Sequence, residues 1–264
     1  MEKNIYLKDY LASRIIINKK EVNGYGPIYY QNNEKILRDL LSIDFENKNV
    51  LSVLSSSDQL LTFRALDSRS VDAFDINRLT IYYYYLRKWS IKYMDKLYPT
   101  IDDNIWLQKL LTKVEINSDL EQKALIFFKL HLKQSSNLEK LFYDSSKEKD
   151  GETLFRKASS AKKYVDDDLV FYNYNLFSKT NPSINNKYDY IYISNILEWA
   201  RGDIRKLECA EENLNNLLVN GGTIICSKLI NREDCKVLKE KNIFDSNFEF
   251  SEFEDNRVYT YRKK

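Results

Sequence analysis

Four small polar residues, Ser55, Ser56, Ser57 and Asp58, stand between an apolar run at 49–54 and a stretch of helical period at 59–66. A strand that ends in a tight polar turn before a helix offers free backbone N–H groups and the positive end of a helix dipole, which suits an anionic or nucleoside ligand. About 20 residues further on, a second apolar run, 70–75, ends on Asp75, and a carboxylate at that spacing can accept both hydroxyls of a ribose. The same carboxylate could instead cap the helix that starts at Asn77, and Asp58 could be a first-turn acid favoured by its helix dipole.

The elements that must position these residues follow from periodicity. Residues 49–54 and 70–75 are short, β-branched and apolar without clean alternation, as in parallel strands covered on both faces. Each is followed by a helical pattern, so together they make a βαβ unit. Upstream, residues 5–17 have helical spacing, 23–27 concentrate turn residues, and Asn33 is expected to cap an amphipathic helix over 34–41. Residues 91–165 read as a long helical insertion with a polar segment at 144–151. Strands are then expected at 169–176, 188–193 and 223–226, with a helix at 204–218 stopped by a left-handed cap at Asn220-Gly221-Gly222. A short helix at 236–241 and a hairpin pairing 248–253 with 258–261 close the chain. The pattern predicts a single α/β domain over 1–264. Its sheet is Rossmann-like, doubly wound and mainly parallel, ending in an antiparallel hairpin, with a helical cap at 1–45 and the helical insertion after the second βα unit.

Composition removes several classes of function. The formal net charge is +2 and the basic residues alternate with acids, which argues against a nucleic-acid partner. The three cysteines, Cys209, Cys226 and Cys235, lack metal-type spacing, and their odd number argues against a disulfide framework. His131 is the only histidine and lies in an apolar-periodic run, so it reads as a structural residue; no metal site and no Ser-His-Asp triad is expected. No signal-peptide pattern and no apolar window of membrane-spanning length occurs, so a cytoplasmic protein is expected. The excess of Lys, Asn, Ile and Tyr fits AT-rich coding in a low-GC bacterium.

The order of strand, small polar turn, acid-terminated strand, then 217–222 before a strand and a closing hairpin resembles class I S-adenosylmethionine-dependent methyltransferases. Within that superfamily, residues 50–59, 71–77 and 192–199 are most similar to the betaine-lipid synthase-like 3-amino-3-carboxypropyltransferases. Their first turn reads small-Ser-small-Gly-Asp, their second strand ends Asp-x-Asn, and they carry a Leu-Ser-Asn-Ile segment. The resemblance implies S-adenosylmethionine as cofactor, held by Ser55, Ser56, Ser57, Asp58, Asp75 and Asn77. It also implies Asn175 against the adenine amino group and Ser194 and Asn195 toward the methionine part and the acceptor. Loop capping by Asn175 and turn chemistry at Ser194 and Asn195 are the competing roles. The family's aromatic stretch matches 25–30, an expected lid over the cofactor or else a packed surface loop. An oxygen acceptor would need a base, for which Glu198, Asp203, Tyr25, Tyr29 and Tyr30 are candidates; Asn195, Glu198 and Tyr29 are taken as the catalytic set.

The chain departs from the family where glycines of the first turn are replaced by Leu54 or Ser55 and by Ser57. A serine forced to positive φ there would be strained by about 1 kcal/mol. The expected activity is transfer of a 3-amino-3-carboxypropyl group to a small-molecule or lipid acceptor. Methyl transfer and a non-catalytic binding protein on a degenerate version of the fold are the alternatives. A nicotinamide enzyme is weaker, because the G-x-G-x-x-G spacing is absent.

Overall fold

In the computed structural model, residues 5–18, 22–29, 36–134, 137–142, 154–165, 169–227, 244, 247–252 and 258–264 are described. In chain order the elements are α1 (Ile5–Ile17), α2 (Leu37–Leu41), β1 (Asn49–Val53), α3 (Asp58–Ala65), β2 (Ser70–Asp75) and α4 (Leu79–Met94). Then come α5 (Asn104–Leu111), α6 (Asp119–Lys133), α7 (Ala158–Ala161), β3 (Phe171–Asn173), β4 (Tyr188–Ser194), α8 (Ile204–Leu217), β5 (Leu218–Ser227), β6 (Phe248–Glu252) and β7 (Val258–Lys263). The expected Asn33 cap, the 144–151 segment and the 236–241 helix lie outside the described residues. The chain divides into two units: Met1–Asn33, Leu54–Leu61 and Ile76–Asp168 in one, and Glu34–Val53, Thr62–Asp75 and Leu169–Lys264 in the other.

The second of these units holds the sheet, whose strand order is β3-β2-β1-β4-β5-β7-β6. β1 pairs in parallel with β2 and with β4, β2 with β3, and β4 with β5, while β7 is antiparallel to both β5 and β6. This is the doubly wound, mainly parallel sheet with a terminal hairpin that the periodicity predicts. The order reverses between β1 and β4, the crevice where open α/β sheets take ligands. β1 and β2 are buried along nearly their whole length, which explains why they lack alternation. Phe45 packs on Phe63 and Tyr190 at ring-centroid distances of 4.9 Å each, and Phe63 on Tyr192 at 5.7 Å. Within β2, Asp72 accepts from Tyr188 Oη (2.7 Å) and Asn186 Nδ2 (3.1 Å).

Two expected elements differ. Asn220-Gly221-Gly222 does not cap the helix: α8 ends at Leu217, and Leu218 is already extended, opening β5. Between the pairs Tyr188↔Leu218 and Tyr190↔Thr223 the register shifts, so the glycines form a bulge inside the strand. Gly221 has φ +77°, and a Cβ on Gly222 would meet Val219 O at 3.0 Å and Asp189 O at 3.1 Å. A glycine pair is required by both devices, and only pairing with β4 distinguishes them. The strand expected at 169–176 is also shorter, as β3 covers Phe171–Asn173.

The other unit is helical. From Leu79 to Ile91 every residue of α4 is buried, an arrangement that demands partners for its charged members. Lys88 pairs with Glu121 of α6 at 3.3 Å, both side chains buried. Glu121 also accepts from Asn117 N (2.7 Å) while Ser118 Oγ accepts from Glu121 N (3.2 Å), a reciprocal cap that starts α6. Asp103 starts α5 by accepting from Ile105 N and Trp106 N, both at 2.9 Å. Tyr82 of α4 stacks on Phe127 of α6 at 4.7 Å.

Candidate functional site

In the sheet unit the strand ends bring the expected groups to one edge. Asp75 is the last residue of β2, in register with Asn173 of β3, and is 8% exposed. Its backbone carbonyl accepts from Asn173 Nδ2 (2.9 Å) and Tyr174 N (3.1 Å), which fixes the residue that carries the carboxylate. Asn175 builds its own loop: Oδ1 accepts from Phe177 N (3.0 Å), and its main chain is held on both sides by Asn181, through N to Oδ1 (3.0 Å) and O to Nδ2 (2.8 Å). Part of its acceptor capacity is thus spent within the loop. Ser194 closes β4 with φ +53°, a left-handed conformation uncommon for serine. Its Oγ lies 3.4 Å from Asn195 Oδ1, and a 3-10 turn over Ile196–Ala200 follows. Glu198 sits half-buried in that turn with its N–H donated to Asn195 O (3.0 Å). Asp203 is an exposed helix cap, accepting from Arg205 N (3.1 Å) and Lys206 N (3.4 Å) at the start of α8.

In the helical unit the bend at Leu54–Asp58 is tightly built. Ser55 and Ser57 have φ +41° and +67°, so the strain anticipated at Ser57 is present, and at Ser55 as well. Ser57 N donates to Leu54 O (2.6 Å), and Leu61 N donates to Ser57 O (3.2 Å) where α3 begins. Ser56 Oγ donates to Asp58 Oδ2 (2.9 Å) and Ser57 Oγ to Ser56 O (2.5 Å). Asp58 Oδ1 receives Arg87 Nη2 (2.7 Å) and Tyr98 Oη (2.8 Å). Arg87 and Asp58 are 1% and 2% exposed. Burial alone would lower the Arg87 pKa, but the Asp58 charge, with Tyr98 and Tyr83 beside it, holds it above the ordinary guanidinium value.

Arg87 and Tyr98 were not among the expected site residues. A signal for Arg87 existed: a guanidinium within the aromatic and apolar run at 82–89 needs a buried acid. Which acid it meets depends on a contact far along the chain.

The aromatic segment is pinned at several points within the same unit. Asp9 of α1, fully buried, accepts from Tyr25 Oη (2.6 Å) and Tyr82 Oη (2.5 Å) and pairs with Arg78 Nε at 3.4 Å. Burial and the adjacent Asp9 raise the pKa of both tyrosines above the ordinary phenol value. Asn77 Nδ2 donates to Gly26 O (2.9 Å) and Pro27 O (3.4 Å) while its Oδ1 accepts from Leu79 N (3.2 Å), so Asn77 ties the start of α4 to the segment. Ile28 N donates to Leu141 O (2.9 Å), and Tyr29 beside it is half-buried. Tyr30 lies outside the described residues. Among the described residues, no group of three or more His, Cys, Asp or Glu side chains could hold a metal ion, and no helix is long and apolar enough to cross a membrane.

No protein-family model matches the chain, and no curated protein matches it. Solved structures similar to it include the N-methyltransferase NodS from Bradyrhizobium japonicum WM9, at 10% identity and a TM-score of 0.39, with 87% of this chain and 94% of that one covered. The ribosomal protein L11 methylase from Lactobacillus delbrueckii subsp. bulgaricus is similar at 12% identity and a TM-score of 0.42, with 90% and 81% covered. A methyltransferase from Pyrococcus furiosus is similar at 10% identity and a TM-score of 0.41, with 98% of each chain covered.

Proposed function

We propose that the chain is an S-adenosylmethionine-dependent transferase. The observation that carries this reading is the position of Asp75: it closes the strand beside β1, at the carboxyl edge of a sheet whose order reverses between β1 and β4. A carboxylate there suits the two hydroxyls of a ribose, and the residues that would complete the grip in the sheet unit are Asn175 and Ser194. Ser55, Ser56, Ser57, Asp58 and Asn77 are the proposed cofactor residues of the helical unit. The left-handed Ser194 supports the reading too, since strained backbone persists where surrounding structure over-determines it, often at functional sites.

The sulfonium of the cofactor activates its three attached carbons, and the carbon reached in line by the acceptor decides the product. The motif resemblance favours loss of the 3-amino-3-carboxypropyl group to a small-molecule or lipid acceptor, with methyl transfer as the other outcome. Asn195, Glu198 and Tyr29 are the proposed catalytic residues, Glu198 or Tyr29 relieving the acceptor of its proton. Calorimetry with S-adenosylmethionine and S-adenosylhomocysteine tests the reading: saturable heat is expected, and none at high micromolar ligand removes it. The nucleoside product then separates the transfers, methylthioadenosine for aminocarboxypropyl and S-adenosylhomocysteine for methyl.

A second reading, a binding protein without catalysis, is favoured by one observation. Both carboxylate oxygens of Asp58 are already engaged by Arg87, Tyr98 and Ser56. It predicts a stable bend and no turnover with any acceptor.

A further inference from the structure

We propose that Arg87 is the positioning residue of the bend after β1, a side-chain clamp that does the work of an absent glycine. The inference rests on the reading that this bend meets a cofactor. Ser55 and Ser57 hold left-handed conformations, at φ +41° and +67°, that cost a serine about 1–2 kcal/mol each, so neighbouring contacts must impose them.

The guanidinium supplies contacts at and beside Ser57 through Nη1 and Nη2, while Nε anchors it outside the bend. Nη1 donates to Ser56 O (2.8 Å) and lies 3.4 Å from Ser57 Oγ; Nη2 donates to Asp58 Oδ1 (2.7 Å); Nε donates to Leu97 O (3.1 Å). The plane is fixed by the Tyr98 ring, 4.5 Å below, whose hydroxyl reaches the same Asp58 oxygen. Holding Ser56 O toward Arg87 turns the Ser57 N–H the other way, onto Leu54 O, because the peptide is planar and trans. One side chain thereby sets the peptide orientation at the centre of the bend and the carboxylate that opens α3. Lysine would keep the charge but not the fork that reaches two acceptors at once.

The test uses the full chain, with S-adenosylhomocysteine as probe, and two variants, Arg87→Lys and Arg87→Lys with Ser57→Gly. Glycine adopts positive φ without support, so the second change removes what the clamp must impose at Ser57, the residue its contacts flank. Amide exchange across 54–61 in Arg87→Lys is expected to rise about tenfold while distant helices keep their protection. Affinity for the probe should fall about tenfold, equivalent to ~1.4 kcal/mol. The added glycine should return both toward the unaltered protein. A general loss of stability would raise exchange everywhere, and glycine in the bend would not repair it. Unchanged exchange at 54–61, or a defect that Ser57→Gly leaves in place, overturns the clamp. If Arg87→Lys alone does not fold, the double variant must fold, and its failure counts equally against the proposal. If the unaltered protein takes up no probe, it is the cofactor reading that fails, and local exchange still decides whether Arg87 holds the bend.

Discussion

Lowering the pH should destabilise the protein through His131 more than through any ordinary histidine. The ring is fully buried on α6, with Tyr10 at 4.8 Å and Phe127 at 4.7 Å between ring centroids. Ser13 Oγ donates its one proton to Tyr10 O (2.6 Å), so the contact at 2.9 Å between Ser13 Oγ and His131 Nε2 requires the imidazole to be the donor. Nδ1 is then the unprotonated nitrogen, buried without a hydrogen-bond partner. Adding a proton there would create a charge with no acceptor, and burial, helped by the Arg14 charge, lowers the pKa from 6.5 to about 3. Because the folded value is depressed, the unfolded chain binds more protons between these limits. Stability is therefore full above pH 6.5 and declines as pH falls toward 3. At 1.36 kcal/mol per unit the full loss is on the order of 5 kcal/mol, and roughly half is reached near pH 4.5. That is a large fraction of the ~5–15 kcal/mol that holds a typical domain. Carboxylates also titrate in this window, so the assay is a difference: urea unfolding of the unaltered protein and of His131→Gln, which keeps an N–H for Ser13 but cannot titrate. The unaltered protein should lose ground to the variant steadily below pH 6. Parallel curves from pH 7 to 4 would refute the buried neutral ring.

Asp75→Ala should abolish nucleoside binding while the unfolding midpoint stays nearly constant, and calorimetry showing undiminished affinity would discard the ribose assignment. Glu121→Gln leaves Lys88 buried without its counter-charge, and thermal unfolding should register a cost of about 3 kcal/mol or more. Gly222→Ala should destabilise the bulge by about 1–3 kcal/mol in denaturant titration, because its Cβ would crowd two carbonyl oxygens. Cys226 is buried and its thiol is pushed far above the ordinary value by burial, so native protein should leave it unlabelled by a thiol reagent at neutral pH, with labelling appearing on unfolding.

The parallel strands were legible because burial on both faces writes itself as an unbroken β-branched run. β1, β2 and β4 follow the apolar runs at 49–54, 70–75 and 188–193 closely. Legibility failed where one signal serves two geometries. The glycine pair at 221–222 satisfies a helix stop and a strand bulge equally, and the choice is made by Tyr188 and Tyr190 across the sheet. Asn175 could be assigned a ligand or a loop from its type, and the bonds from Phe177 and Asn181 are what reveal the loop. The cations of α4 show a further limit. Arg87 and Lys88 announce a need for acids inside a buried helix, yet adjacent residues on one helix reach acids as far apart in sequence as Asp58 and Glu121.

The distribution of glycine makes a physical point about the strand ends. The chain has six glycines, and none lies at Ser55, Ser57 or Ser194, all of which hold positive φ. Glycine would make these conformations cheap but would also leave each bend free to adopt others, at an entropic cost on folding of about 0.5–1 kcal/mol. Serine reverses the balance: the left-handed state is strained, and few competing states remain once external contacts select it. For the bend after β1 those contacts are visible in Arg87, Tyr98 and Asp58. A turn held in this way is preorganised, so a ligand that fits it spends little binding energy on ordering it. A ligand needing another arrangement must break a buried ion pair. On the proposed function, the glycine-poor bend after β1 would give a narrow ligand range, with selectivity set by the side chains that restrain its backbone.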